Sequence, residues 1–110
     1  REEGMALFVY MTAGSAAEAE RLAEDLVESR LAAGVNLFSP IRSVYRWKGE
    51  IRREGEIALI AQTDEDRFEA LAERVRRLHS YETPCIVALP IERGDADFLA
   101  WITASTHPEE

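Results

Sequence analysis

The residues best suited to chemistry in this 110-residue chain crowd into one stretch, His79-Ser80-Tyr81-Glu82-Thr83-Pro84-Cys85. His79 and Glu82 offer an imidazole and a carboxylate three residues apart, a pair that can hold Cu²⁺, Zn²⁺ or another divalent cation when further ligands come from elsewhere. Cys85, the single cysteine of the sequence, could add a sulfur. One chain nonetheless falls short of the about four ligands of a dedicated tetrahedral site. His79 also reads as the C-terminal cap of a helix, and Cys85 as a small buried hydrophobe. The expectation is therefore weak, imidazole-led metal binding that folding does not require. Tyr45 and Trp47 alternate near a turn and read as an interface anchor or the wall of a ligand pocket, grouped with Tyr81, Glu82 and Pro84. No glycine-rich phosphate loop, Ser-His-Asp arrangement or catalytic carboxylate pair is legible, so the sequence supports no enzymatic reaction.

The elements that must position these residues follow from hydrophobic period and turn chemistry. Residues 6–11 are short, aromatic and β-rich, and lead through Ala13-Gly14 into Ser15, an N-cap with Glu18 three positions on. Ala19, Leu22, Ala23, Leu26 and Val27 form one helical stripe, and the pattern predicts a helix over 16–33 stopped by Gly34. A second strand opens at 35–38, is interrupted by Pro40, resumes over 41–47 and turns at Lys48-Gly49. The return strand is charged near the turn and apolar through 57–61, which makes a long hairpin with a wet tip. Thr63 or Asp64 caps a second helix bearing Phe68, Leu71, Ala72, Val75 and Leu78, and a last strand covers 85–91. A short third helix starts at Gly94-Asp95, with Phe98, Trp101 and Ile102 as its apolar contacts.

This is the β-α-β-β-α-β order of an α+β, ferredoxin-like sandwich with a C-terminal helix. Residues 5–105 are expected to be one domain, 1–4 a flexible extension and 106–110 a frayed polar tail. Both main helices fall on one sheet face. The strands do not alternate apolar with polar, as a wet second face would require, so self-association is expected to cover that face.

Net charge of −8 and a pI near 4.8 oppose nucleic-acid binding, which depends on Lys and Arg. An RNA-recognition module of the same strand order also needs aromatic rings on its third strand, and residues 56–61 have none. A lone cysteine suits a reducing compartment, and Arg1-Glu2-Glu3 lacks the positive charge of a secretory leader. No apolar run approaches the roughly 20 residues that span a bilayer. A cytoplasmic, soluble protein is expected.

Four segments then share a likeness: Leu31-Ala32-Ala33-Gly34-Val35-Asn36, Ser43-Val44-Tyr45-Arg46-Trp47-Lys48-Gly49-Glu50-Ile51, Leu78-His79-Ser80-Tyr81-Glu82-Thr83-Pro84-Cys85-Ile86 and Phe98-Leu99-Ala100-Trp101-Ile102. In this order and spacing they resemble the CutA divalent-cation-tolerance family. The resemblance implies a ferredoxin-like protomer, a tight homotrimer packed sheet against sheet, architectural kinship with PII-type signalling proteins, and an association with copper and other divalent cations without an established catalytic reaction. Two positions depart from the family pattern. Gly34 stands where a cysteine is common, which argues against thiolate-based copper chemistry, and Ser80 stands where His-Pro-Tyr-Glu has its proline. The alternative is a PII- or ACT-like regulatory trimer that binds a small molecule at its subunit interfaces.

Overall fold

The computed structural model describes residues 4–108. Ala6–Ala13 forms β1, and Ser15 caps helix α1, Ala16–Glu28, by accepting a hydrogen bond from the Glu18 backbone N–H at 3.1 Å. The helix ends one turn and more before Gly34. Arg30 adopts the left-handed conformation at φ 62°, and Leu31 and Ala32 donate back to the Leu26 carbonyl, satisfying the helix end without a glycine. Gly34 is instead the first residue of β2, Gly34–Leu37.

Strand β3, Ile41–Trp47, pairs with β4, Glu50–Asp64, through a two-residue turn in which Lys48 and Gly49 both have positive φ. That is the turn whose twist suits a hairpin. The 15 residues of β4 run past the expected helix cap. Thr63 and Asp64 belong to the strand, and a 3₁₀ turn, Glu65–Arg67, precedes helix α2, Phe68–Leu78. Strand β5, Ile86–Pro90, and helix α3, Ala96–Thr106, complete the chain, with Asp95 accepting from Phe98 N at 3.1 Å as the α3 cap.

The sheet order is β2-β4-β1-β5, all neighbours antiparallel, with β3 as the outer arm of β4. This is the order expected of the split β-α-β pattern. Val9, Met11, Leu59 and Ala61 face α1 and α2, where they meet Leu22, Leu26, Leu71 and Val75 in one core. Each such large side chain taken from water contributes about 1.5–3 kcal/mol, which is why the helices stay on this face.

The opposite face carries Phe8, Tyr10, Val87, Leu89, Ile60 and Gln62, paired by register. Helix α3 covers part of it: Ile102 is fully buried, and the Trp101 ring lies over Gly34. Phe98 and Trp101, expected with Ile102 as the apolar contacts of α3, lie against each other and remain 44% and 43% exposed. Helix α3 spans too little of the sheet to enclose them. Thr106 and His107, expected in a frayed tail, are buried. Of the rest of the expected extension and tail, Gly4 is half-buried and Pro108 exposed, and residues 1–3 and 109–110 lie outside the described residues.

Candidate functional site

A cleft of about 510 Å³ opens where the hairpin arm leaves the sheet. Its walls are Ser43, Tyr45 and Trp47 of β3, Arg52, Glu54 and Glu56 of β4, Tyr10 and Thr12 of β1, and Tyr81, Glu82, Thr83 and Cys85 of the loop before β5. Alternation places 43, 45 and 47 on one face of the hairpin, opposite Glu54, Arg52 and Glu50. The aromatic rings and the acids therefore share one wall.

Glu56 is the hinge of this wall. Its carboxylate is buried and accepts from the Ser43 hydroxyl at 2.6 Å and the Tyr81 hydroxyl at 2.7 Å, joining β3, β4 and the loop. Burial first, and then the hydrogen bond to Glu56, push the Tyr81 phenol far above its usual range. Tyr45 donates to Glu54 at 2.7 Å, and that bond raises its pKa as well. Both phenols are donors over all ordinary pH. Burial and the neighbouring Glu56 also push the Cys85 thiol up, which favours its protonated form. Lys48 at the hairpin tip reaches Glu82 at 3.5 Å and lies 5.6 Å from the Trp47 ring centre.

A second carboxylate fixes the other side of the loop. Glu18 accepts from Ser80 N at 2.8 Å, the Ser80 hydroxyl at 3.1 Å and Gly14 N at 3.2 Å. Burial would raise its pKa, but the Ser80 and Gly14 bonds and the nearby His79 together hold it below the usual carboxylate value. Pattern reading finds Glu18 only as a helix-capping residue. Its distant partner, Ser80, is invisible without the fold.

His79 does terminate α2, and its ring is buried. Nε2 lies 2.7 Å from the Thr12 carbonyl and Nδ1 accepts from Tyr81 N at 3.0 Å, so the tautomer with the proton on Nε2 satisfies both contacts. The three metal ligands nominated from sequence are thus placed apart in character. His79 serves the loop, Glu82 stands at the rim, and Cys85 lines the cleft. Of the pocket residues nominated from sequence, Tyr45, Trp47, Tyr81 and Glu82 meet in the cleft, while Pro84 is half-buried beside it. Among the described residues, one group of three ligand-type side chains lies close together, and it is elsewhere: Asp64, Asp66 and His107.

No helix is long and apolar enough to cross a membrane among the described residues. The sequence is similar to the divalent-cation tolerance protein CutA of Archaeoglobus fulgidus, 50% identical over 95 residues that span 86% of this chain and 92% of that one. The Thermus thermophilus protein of the same name is 43% identical over 98 residues, 89% and 95% of the two chains. Solved structures agree. The Thermus thermophilus protein superposes with a TM-score of 0.91 at 42% identity, covering 93% of this chain and 99% of that one. The Archaeoglobus fulgidus protein, described as periplasmic, gives 0.90 at 47% identity with the same coverage. The family model of the CutA1 divalent ion tolerance protein matches residues 7–105, and with these relatives it establishes that the chain belongs to the CutA1 family.

Proposed function

We propose that the chain works as a homotrimeric, non-enzymatic, cytoplasmic divalent-cation response protein whose ligand cleft is completed at the subunit boundary. The observation that carries this reading is the open sheet face. Phe8, Val87 and Leu89 are 36%, 51% and 53% exposed side by side in register, on the part of this face that α3 leaves uncovered. Covering such residues contributes on the order of 1 kcal/mol each at this degree of exposure. Adjacent apolar strands that stay wet invite a second sheet, and the number three and the kinship with PII-type proteins follow from the family resemblance.

The hairpin arm supports the same reading. The chain measures 48 × 25 × 24 Å, longer than a compact fold of its size, and the arm presents Val44 and Ile51 to solvent on one side and the aromatic cleft on the other. Seated against a neighbouring subunit, it would place Tyr45, Trp47, Tyr81 and Glu82 at a boundary. In a single chain, His79, Glu82 and Cys85 do not form a converging set, so Cu²⁺ or another divalent cation held at this cleft would take ligands from two chains. Folding would not depend on it.

Sedimentation equilibrium on untagged protein tests the assembly. A single species of three chains at micromolar concentration is expected, and a well-folded monomer would overturn the proposal. A second reading, a PII- or ACT-like regulator, is favoured by the size of the cleft, since about 510 Å³ falls within the range of small-molecule pockets. A thermal-shift screen of nucleotides and amino acids against Cu²⁺ and Zn²⁺ separates the two.

A further inference from the structure

The cleft beside the hairpin arm combines two kinds of surface that one class of small molecule needs together. Tyr45 and Trp47 give it aromatic walls, and Glu54, Glu56 and Glu82 set three carboxylates around it against one lining guanidinium, that of Arg52. All of these charged groups already have partners within the chain. Glu56 accepts from the Ser43 and Tyr81 hydroxyls, Glu54 accepts from Tyr45 and lies 3.6 Å from Arg52, and Glu82 pairs with Lys48 at 3.5 Å. A hydroxyl donor steadies a carboxylate without cancelling its charge, and Arg52 is shared between Glu54 and Glu50, 3.9 Å away. Negative charge therefore remains in surplus beside ring faces that are themselves electron-rich. The phenol donors, in contrast, are spent: Tyr45 and Tyr81 each give their one hydrogen to a glutamate. A guest meets acceptors on most sides, which suits N–H groups and opposes phosphates and carboxylates.

The chain itself shows what this surface attracts. The Lys48 ammonium lies 5.6 Å from the centre of the Trp47 ring and 3.5 Å from the Glu82 carboxylate, and both of those residues line the cleft. An ammonium within about 6 Å of an indole ring, with a carboxylate alongside, makes a cation–π contact and an ion pair at once. The contact sits at the rim. The Lys48 and Glu82 side chains are 68% and 71% exposed, and water weakens such pairs. Lys48 belongs to the hairpin turn and not to the cleft walls, so it leaves the volume of about 510 Å³ to a guest.

We infer that the cleft binds a small alkylammonium ion, a diamine above all, with one ammonium taking the place of Lys48 between Trp47 and Glu82. The second ammonium meets Glu54, and the alkyl chain lies against the Tyr45 and Trp47 rings. Each carboxylate oxygen has room for a further donor beyond the bonds it already accepts, so an N–H group adds to the network without breaking it. A dication also answers the surplus of acids better than a single charge does. This ligand class deepens the proposed function and rests on its reading of the cleft as a ligand site, but not on the number of subunits. The competing arrangement is a cleft filled by side chains of a neighbouring subunit, with no free guest.

Calorimetry on the intact, untagged protein at neutral pH and low salt tests it, with diaminobutane as probe, butanediol as its neutral isostere, succinate as the anion and CuCl₂ as the metal. Sedimentation is run on the same samples. Diaminobutane should bind at least about tenfold more tightly than butanediol, and succinate should not bind. Trp47→Leu and Glu82→Gln should each weaken the diamine about tenfold. Lys48→Met should tighten it about threefold by removing the internal competitor, whereas Arg76→Met, at a cation that does not line the cleft, should leave it unchanged. In NMR the diamine should move the indole N–H resonance of Trp47 and leave that of Trp101 in place. Should Trp47→Leu fail to assemble, the exposed Glu82→Gln and the indole resonances decide. Equal affinity for diol and diamine, undiminished binding in Glu82→Gln, or neither heat nor an indole shift at millimolar diamine overturns the ligand class. A trimer that takes Cu²⁺ at the cleft and no diamine overturns it while the proposed function stands, and a monomer that binds diamine removes the assembly alone.

Discussion

Replacing Glu18 with glutamine removes one charge from a buried junction and should reveal how much of the site's geometry depends on it. The carboxylate accepts three hydrogen bonds, from Gly14 N, Ser80 N and the Ser80 hydroxyl, and its side chain is only 8% exposed. Glutamine keeps one acceptor oxygen in place and turns the other into an amide donor facing N–H groups. A hydrogen bond to a charged group contributes about 1.5–3 kcal/mol, and a buried donor left without an acceptor costs about 1–3 kcal/mol. Partial water entry at the loop reduces this, so Glu18→Gln should lose about 2 kcal/mol and Glu18→Ala somewhat more. The assay is urea unfolding at fixed protein concentration, because any association with other copies makes stability concentration-dependent.

The pH dependence gives the sharper check. The folded pKa of Glu18 lies below its unfolded value of 4.5, so the carboxylate stabilises the fold fully above that value and the contribution fades as pH falls through the folded pKa. Glutamine has no such titration. The stability gap between wild type and Glu18→Gln should therefore be greatest near neutrality and narrow on acidification below about pH 4.5. A gap under about 0.5 kcal/mol at neutral pH, or one that stays constant into acid, would refute the assignment of Glu18 as the anchor of the loop.

Two further substitutions address the interface and the sheet. Trp47→Ala should weaken self-association by about 2 kcal/mol, as loss of a buried aromatic anchor does, read as a shift in sedimentation equilibrium; unchanged association would leave the ring as a surface residue. Gly34→Ala should destabilise by about 1 kcal/mol in chemical denaturation, because a Cβ there would stand 2.9 Å from Gln62 Oε1 and 3.2 Å from the Trp101 ring, and Gln62 could yield only by giving up its 2.7 Å bond to Asn36. A neutral or stabilising outcome would mean that Trp101 does not rest on β2 as described.

The strand and helix order was legible because it depends on local periods. The positive-φ Lys48-Gly49 turn and the apolar stripe of α2 answer directly to residue chemistry. The end of α1 was not legible, since Leu31, Ala32 and Ala33 continue a helical period and favour helix. Tertiary pairing decides there: Ala33 N donates to the Gln62 carbonyl at 2.7 Å, and the chain must leave the helix at Arg30 to reach β4. The acids were misread for the same reason. Glu56 looks like part of a wet hairpin and Asp64 like a helix cap, yet both are buried by partners 13 to 43 positions away, Ser43, Tyr81 and His107. Periodicity identifies a face and cannot identify a partner.

The same logic gives a physical reading of the chain's departure at Ser80. A proline there, as in the family's His-Pro-Tyr-Glu pattern, has neither a backbone N–H nor a hydroxyl, so it could make neither of the two bonds that Ser80 donates to Glu18. Proline would restrain the loop through its fixed φ, reducing the freedom that folding must remove. Serine restrains it through the carboxylate instead. Successive residues of the loop are then tied to three different elements: Ser80 to α1 through Glu18, Tyr81 to β4 through Glu56, and Glu82 to the hairpin turn through Lys48. The wall of the cleft is therefore positioned by two buried acids on opposite sides of a single loop. In this chain the Glu18 carboxylate is the acceptor of two bonds from Ser80 that a proline at position 80 could not donate.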